Sequence, residues 1–128
     1  MHINKHDIPV KIDVPGAKAR QLAEFGVAEG GQLGAEYFSL AAGTDIAPLL
    51  KGLKYDACHA PHWGYMISGE VVVTYIEGVV ERCTGGDLFH WPPGHSVRVE
   101  QDAEIILFSP PQAHAEVMDH MLAKMATL

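Results

Sequence analysis

The chain has 128 residues, 48% hydrophobic and 20% charged, which is the size and composition of one globular domain and not of a disordered, collagen-like or coiled-coil chain. Sixteen acidic against nine basic side chains give a formal net charge of -7 with histidine neutral. That field repels phosphate and no Lys/Arg cluster reverses it locally, so nucleic acid and anionic membrane surfaces are excluded as expected partners.

Met1 to Asp7 is charged and no apolar stretch follows it, and no apolar run approaches the ~20 residues that cross a bilayer. The two cysteines, Cys58 and Cys83, form no paired motif. A soluble cytoplasmic protein with reduced thiols is the expectation. Lys18 to Phe25 reads as a strand ending at Gly30-Gly31, and Leu33 to Ala41 as another, followed by a turn at Ala42 to Asp45. Met66-Ile67, Glu70 to Ile76 and Val79 to Cys83 follow, with Ser68-Gly69 and Glu77-Gly78 as the turns between them. Leu88 to Trp91 leads into Pro92-Pro93-Gly94, and Ser96 to Glu100 and Glu104 to Ser109 flank a Gln101-Asp102 turn. Seven or more short strands without an intervening helix indicate an all-β sandwich or barrel. After Pro110-Pro111 the period changes: Val117, Met118, Met121, Leu122 and Met125 recur at helical spacing, opposite Glu116, Asp119 and Lys124. This is an amphipathic helix over Gln112 to Ala126, its Met-rich face expected against the outside of the β domain or another subunit, with a lid over a pocket as the alternative.

Eight histidines are about three times the usual share, and histidine is the commonest metal ligand. Four of them, His59, His62, His90 and His95, fall among short glycine and proline motifs. A Gly86-Asp87 turn, five residues from Gly86 to Pro92, one more residue and Gly94 reproduce a glycine, proline, glycine skeleton. Here the chain resembles the cupin superfamily, small β-barrels with two such motifs on neighbouring strands. In that family's first motif two histidines one residue apart precede a glutamate, and a turn glycine lies seven residues after the glutamate. With Gly69 as that glycine, His62 stands in the glutamate slot and the histidine slots fall on Asp56 and Cys58, or on Tyr55 and Ala57 with a gap one longer. The second motif's histidine slot falls on Val97, and His95 lies two residues before it on the same face of the strand. By the same parity His62, Gly64 and Met66 face the interior, and His59 faces away unless Pro61 breaks the strand.

The resemblance implies one all-β domain over residues 1–128, a cupin-like β-barrel (double-stranded β-helix, or jelly roll). Its core spans about residues 30–110, with added N-terminal strands over 9–25 and the C-terminal helix over about 112–126. Small cupins commonly pair or exchange N-terminal strands, which makes Pro9 to Phe25 the expected homodimer element. His59, His62 and His95 are the nearest nitrogen donors for a divalent metal, Cys58 and His90 further candidates for the metal or its cavity, and Met66 and Val97 candidate cavity walls. Mixed His and Cys donors favour zinc or copper over magnesium or calcium, and iron, manganese and nickel fit the family as well. His2, His6, His114 and His120, in terminal segments, are expected on solvated surfaces. Glu70 and Asp87 sit at turns and are expected to be structural, and no residue is assigned to catalysis. The functional expectation is a barrel that binds a divalent metal and a small organic molecule, as a metal-dependent enzyme or, alternatively, as a non-catalytic ligand-binding or sensing module.

Overall fold

In the computed structural model, which describes residues 1–128, two long antiparallel strands carry the sheet. The strands are β1 (Val10–Val14), β2 (Ala17–Leu22), a short pair β3 (Val27–Ala28) and β4 (Gly31–Gln32), β5 (Gly34–Leu40), β6 (His62–Tyr75), β7 (Val80–Thr84), β8 (Leu88–Trp91) and β9 (His95–Ser109). One helix, α1 (Pro111–Met125), ends the chain. The main sheet runs β1-β2-β5-β9-β6-β7, with β8 also paired to β6, and its edges are not joined by hydrogen bonds. No helix is long and apolar enough to cross a membrane.

The turns expected at Ser68-Gly69 and Gln101-Asp102 are not turns. β6 and β9 each run straight through, with the register between them slipping at Met66/Ser68, Ser68/Glu70 and Glu70/Val71. Gly69, at φ +87°, makes this irregularity sterically affordable: a Cβ there would lie 2.2 Å from the Asp102 carbonyl oxygen. A bulge of this kind adds a residue to one strand, so the inward face changes parity. Before it His62 and Met66 point inward, and after it Val71 and Val73 do. β9 keeps one parity throughout, so His95, Val97, Val99, Ala103, Ile105, Leu107 and Ser109 all lie on the buried face. The Glu77-Gly78 hairpin forms as expected, Gly78 at φ +90°. Asp87 is structural as expected, its Oδ2 accepting from the Thr84 N–H at 2.7 Å.

Helix α1 does not decorate the outside. It lies over the inward face of the sheet, with Val117 and Met121 against Leu50, Cys58 and Ala60 and Met118 against Ile12 and Ala19. Full burial of each such side chain stabilises by about 1.5–3 kcal/mol, so the helix is held by its apolar stripe. The N-terminal strands bury Ile12 within the same chain, each pairing with its neighbour toward β5.

Candidate metal centre

Three polar side chains converge where the sheet meets α1. His62 opens β6 opposite Trp91, the last residue of β8. Pro92, Pro93 and Gly94 then return the chain so that His95 opens β9 opposite Tyr75. Cys58 lies in the segment between β5 and β6, where its N–H donates to the His95 carbonyl at 2.8 Å and its carbonyl accepts from the Gly94 N–H at 2.8 Å. Backbone pairing therefore places Cys58 beside His95. One donor atom from each of Cys58, His62 and His95 lies within 4.8 Å of the others, and all three residues are buried.

The hydrogen bonds determine which nitrogens are free. His95 Nδ1 donates to the Pro92 carbonyl at 2.7 Å, which leaves its Nε2 lone pair unused. Ser109 Oγ donates to Glu36 Oε1 at 2.7 Å, so it accepts from His62 Nδ1 at 2.6 Å. His62 Nε2 then presents its lone pair to Cys58 Sγ, 3.6 Å away. Glu36, on β5, also accepts from His114 Nδ1 on α1 and from Gln21 Nε2 at 3.2 Å. The result is one buried chain, His62 to Ser109 to Glu36 to His114, that fixes the ring orientation and tautomer of His62.

Burial sets the protonation. It holds His62 well below the ordinary imidazole range, with the nearby His114 and His95 rings adding to the effect. It lowers His95 to about 4, against a partly opposing hydrogen bond to Pro92. Burial pushes the Cys58 thiol up to about 12, so without a cation it is a neutral thiol and a poor nucleophile. Both histidines take up protons more readily in the unfolded chain, and the metal-free protein therefore loses stability as pH falls below 6.5. His95 alone accounts for a loss of about 2 kcal/mol between pH 7 and pH 5. Urea unfolding at the two pH values should show it, and His95→Gln should reduce the dependence by its own share, leaving that of His62.

Of the expected site residues, the fold brings His62, His95 and Cys58 together and leaves two others apart. His59 is partly exposed and its Nε2 faces Glu116 of α1 at 3.5 Å. His90 points to the outer face, stacked on Trp63 with ring centroids 4.8 Å apart, because alternation along β8 turns Trp91 inward. Val97 lines the cavity beside the cluster, whereas Met66 packs in the sheet core. Trp91 also lines the cavity; its indole N–H lacks a well-formed hydrogen bond and lies beside the Cys83 thiol.

Glu36, Ser109 and His114 are the members of the cluster not anticipated from sequence. His114 is 5% exposed, although it was expected on a solvated surface. The signal for it is its offset of three, four and seven residues from Val117, Met118 and Met121, which puts it on the same helical stripe. Glu36 is announced by the alternation Glu36, Phe38, Leu40, which sets a carboxylate on the apolar face of β5.

No protein-family model matches the chain, and no curated protein does. Solved structures do. An oxalate decarboxylase of Lactobacillus farciminis in its formate complex superposes with TM-score 0.60 at 19% identity, over 84% of this chain and 31% of that one. A Bacillus subtilis oxalate decarboxylase characterised for its Mn(II) centres gives 0.61 at 22% identity, over 84% and 28%. The chain thus spans less than a third of the length of either enzyme, and what it shares with them is the cupin fold.

Proposed function

We propose that this cupin-fold domain holds one divalent transition-metal ion between Cys58 Sγ, His62 Nε2 and His95 Nε2, and binds a small organic molecule next to it. The observation that carries the reading is the convergence of two buried, uncharged imidazoles and one thiol, each imidazole with its other nitrogen already committed. Three protein ligands with a further position open is the pattern of catalytic rather than structural zinc sites. Thiolate and imidazole donors suit zinc or copper. Manganese, named for the Bacillus subtilis decarboxylase, prefers oxygen donors and should bind this set more weakly.

When bound, such an ion supplies a Lewis acid that polarises an oxygen of the bound molecule. The chain's own residues do the rest. Ser109 and Glu36 hold His62 in the ligating tautomer. His114 lines the cavity and commits Nδ1 to Glu36, which leaves Nε2 as its uncommitted ring nitrogen. The His62 and His114 rings are 4.3 Å apart between centroids. Association into a homodimer, through the 9–25 strands or the exposed Trp63, Tyr65 and Leu88, belongs to the same reading; a dimer mass in sedimentation velocity is the expected result.

Elemental analysis of untagged protein purified without chelating resin tests the reading. About one metal equivalent is expected in the wild type. Cys58→Ser, His62→Ala and His95→Ala should each weaken binding about 100-fold or more, judged against the 10–100-fold cost of losing an outer-shell partner alone. His59→Ala and His90→Ala should retain the metal. A metal content indifferent to the first three substitutions contradicts the reading.

A further inference from the structure

The metal-site cluster opens onto a cavity whose walls restrict what can bind there. Of its 21 lining residues, 17 are hydrophobic, and none is Lys, Arg, Asp or Glu. Phe38 and Leu40 of β5, Val99 and Ile105 of β9, and Met118 and Met121 of α1 make up much of the wall. The remaining four are Thr44, His62, His95 and His114, and the Cys58 thiol and the Trp91 indole add the other polar atoms. The cavity volume is about 90 Å³, smaller than the ~150 Å³ cavity that takes up benzene; by that ratio it holds about four non-hydrogen atoms.

We infer that this cavity takes a small uncharged molecule with an apolar body and one polar atom directed at the Cys58, His62 and His95 cluster, and that it rejects dicarboxylates. The inference rests on the proposed reading of this cavity as the binding site. A carboxylate moved from water to aliphatic walls loses its hydration and must be met by a fixed positive charge, and the cavity lining provides no Lys or Arg. A divalent ion does not supply the deficit either, since its charge is met by the Cys58 thiolate and by the Glu36 carboxylate behind Ser109. An uncharged ligand leaves the site balanced, whereas oxalate adds two negative charges facing Val97, Val99 and Ile105. An apolar body, by contrast, gains from every wall it touches.

The five methionines provide the test. Met118, Met121 and Met125 line the cavity, and Met1 and Met66 do not. In protein labelled with ¹³C on the methionine methyls, prepared metal-free and zinc-loaded, xenon and 1-propanol should shift the first three signals saturably in both forms and leave those of Met1 and Met66 in place. Oxalate at the same concentration should shift none. Ala19→Leu, which fills the β2 wall, should weaken xenon binding at least tenfold with the Met66 signal unmoved. If this variant unfolds, the wild-type comparison of probes decides alone. Oxalate shifting the three cavity methyls of the zinc-loaded protein overturns the inference, as does xenon shifting none of them. Failure to take up zinc while xenon still binds defeats the metal reading and leaves the ligand class standing.

Discussion

Glu36→Ala should destabilise the protein by about 3–5 kcal/mol, the summed cost of leaving the buried donors that it accepts from without a partner. Glu36 is 1% exposed and accepts from three donors on three parts of the chain: Ser109 on β9, His114 on α1 and Gln21 on β2. Alanine leaves the Ser109 hydroxyl and His114 Nδ1 buried without an acceptor, at about 1–3 kcal/mol each. It also releases Ser109 to rotate, so His62 loses the hydrogen bond that holds its tautomer. Glu36→Gln separates charge from shape. Its amide oxygen accepts from one donor while its NH₂ opposes the other, and a loss of about 1–2 kcal/mol is expected. Guanidinium unfolding of the three proteins gives the comparison, and a wild-type-like midpoint for Glu36→Ala would show that the buried network contributes nothing.

Gly64→Ala should cost about 3 kcal/mol, at the upper end for overpacking. Gly64 sits in β6 between Leu107 of β9 and Phe89 of β8. A Cβ there would come within 2.1 Å of the Ile106 carbonyl oxygen and 2.6 Å of Phe89 Cζ. The first contact is backbone and has no rotamer to yield with. The second ring is itself stacked on Trp91 at 3.9 Å between centroids, so displacement passes to the cavity wall. Gly78→Ala serves as the control. It meets nothing within 4 Å at φ +90°, and only the left-handed backbone cost of about 1 kcal/mol applies. Thermal unfolding should rank the two variants in that order.

How much of this was legible in the sequence depends on the range of the determining contact. The hairpin at Gly78, the turn at Asp87 and the helix after Pro111 are local devices, and each forms within two residues of where its residues place it. The Pro92 to Gly94 bend and its consequence, His95 on the inward parity with Val97, were legible for the same reason. Ser68-Gly69 was not, because glycine marks a bulge as readily as a turn, and only pairing with Asp102 and Ala103 of a distant strand decides between them. His59 and Cys58 were exchanged in rank for a related reason. Proximity in sequence to His62 favoured both, but the pairing of Cys58 with His95 turns its side chain in, and His59, next along the chain, turns out toward Glu116. Glu36, Ser109 and His114 lie 26, 47 and 52 residues from His62 by their numbering, and no motif spacing joins them. They were readable only as polar residues on apolar faces, which is also the feature that marks them as costly and therefore specific.

In the proposed site Cys58, and not His59, completes the ligand set with His62 and His95. X-ray absorption at the metal edge of zinc-loaded protein tests it most directly. One sulfur at about 2.3 Å with imidazole nitrogens at about 2.0 Å is expected, the sulfur lost in Cys58→Ser and the spectrum unchanged in His59→Ala. A shell of nitrogen and oxygen alone in the wild type, or a spectrum altered by His59→Ala and not by Cys58→Ser, would contradict it.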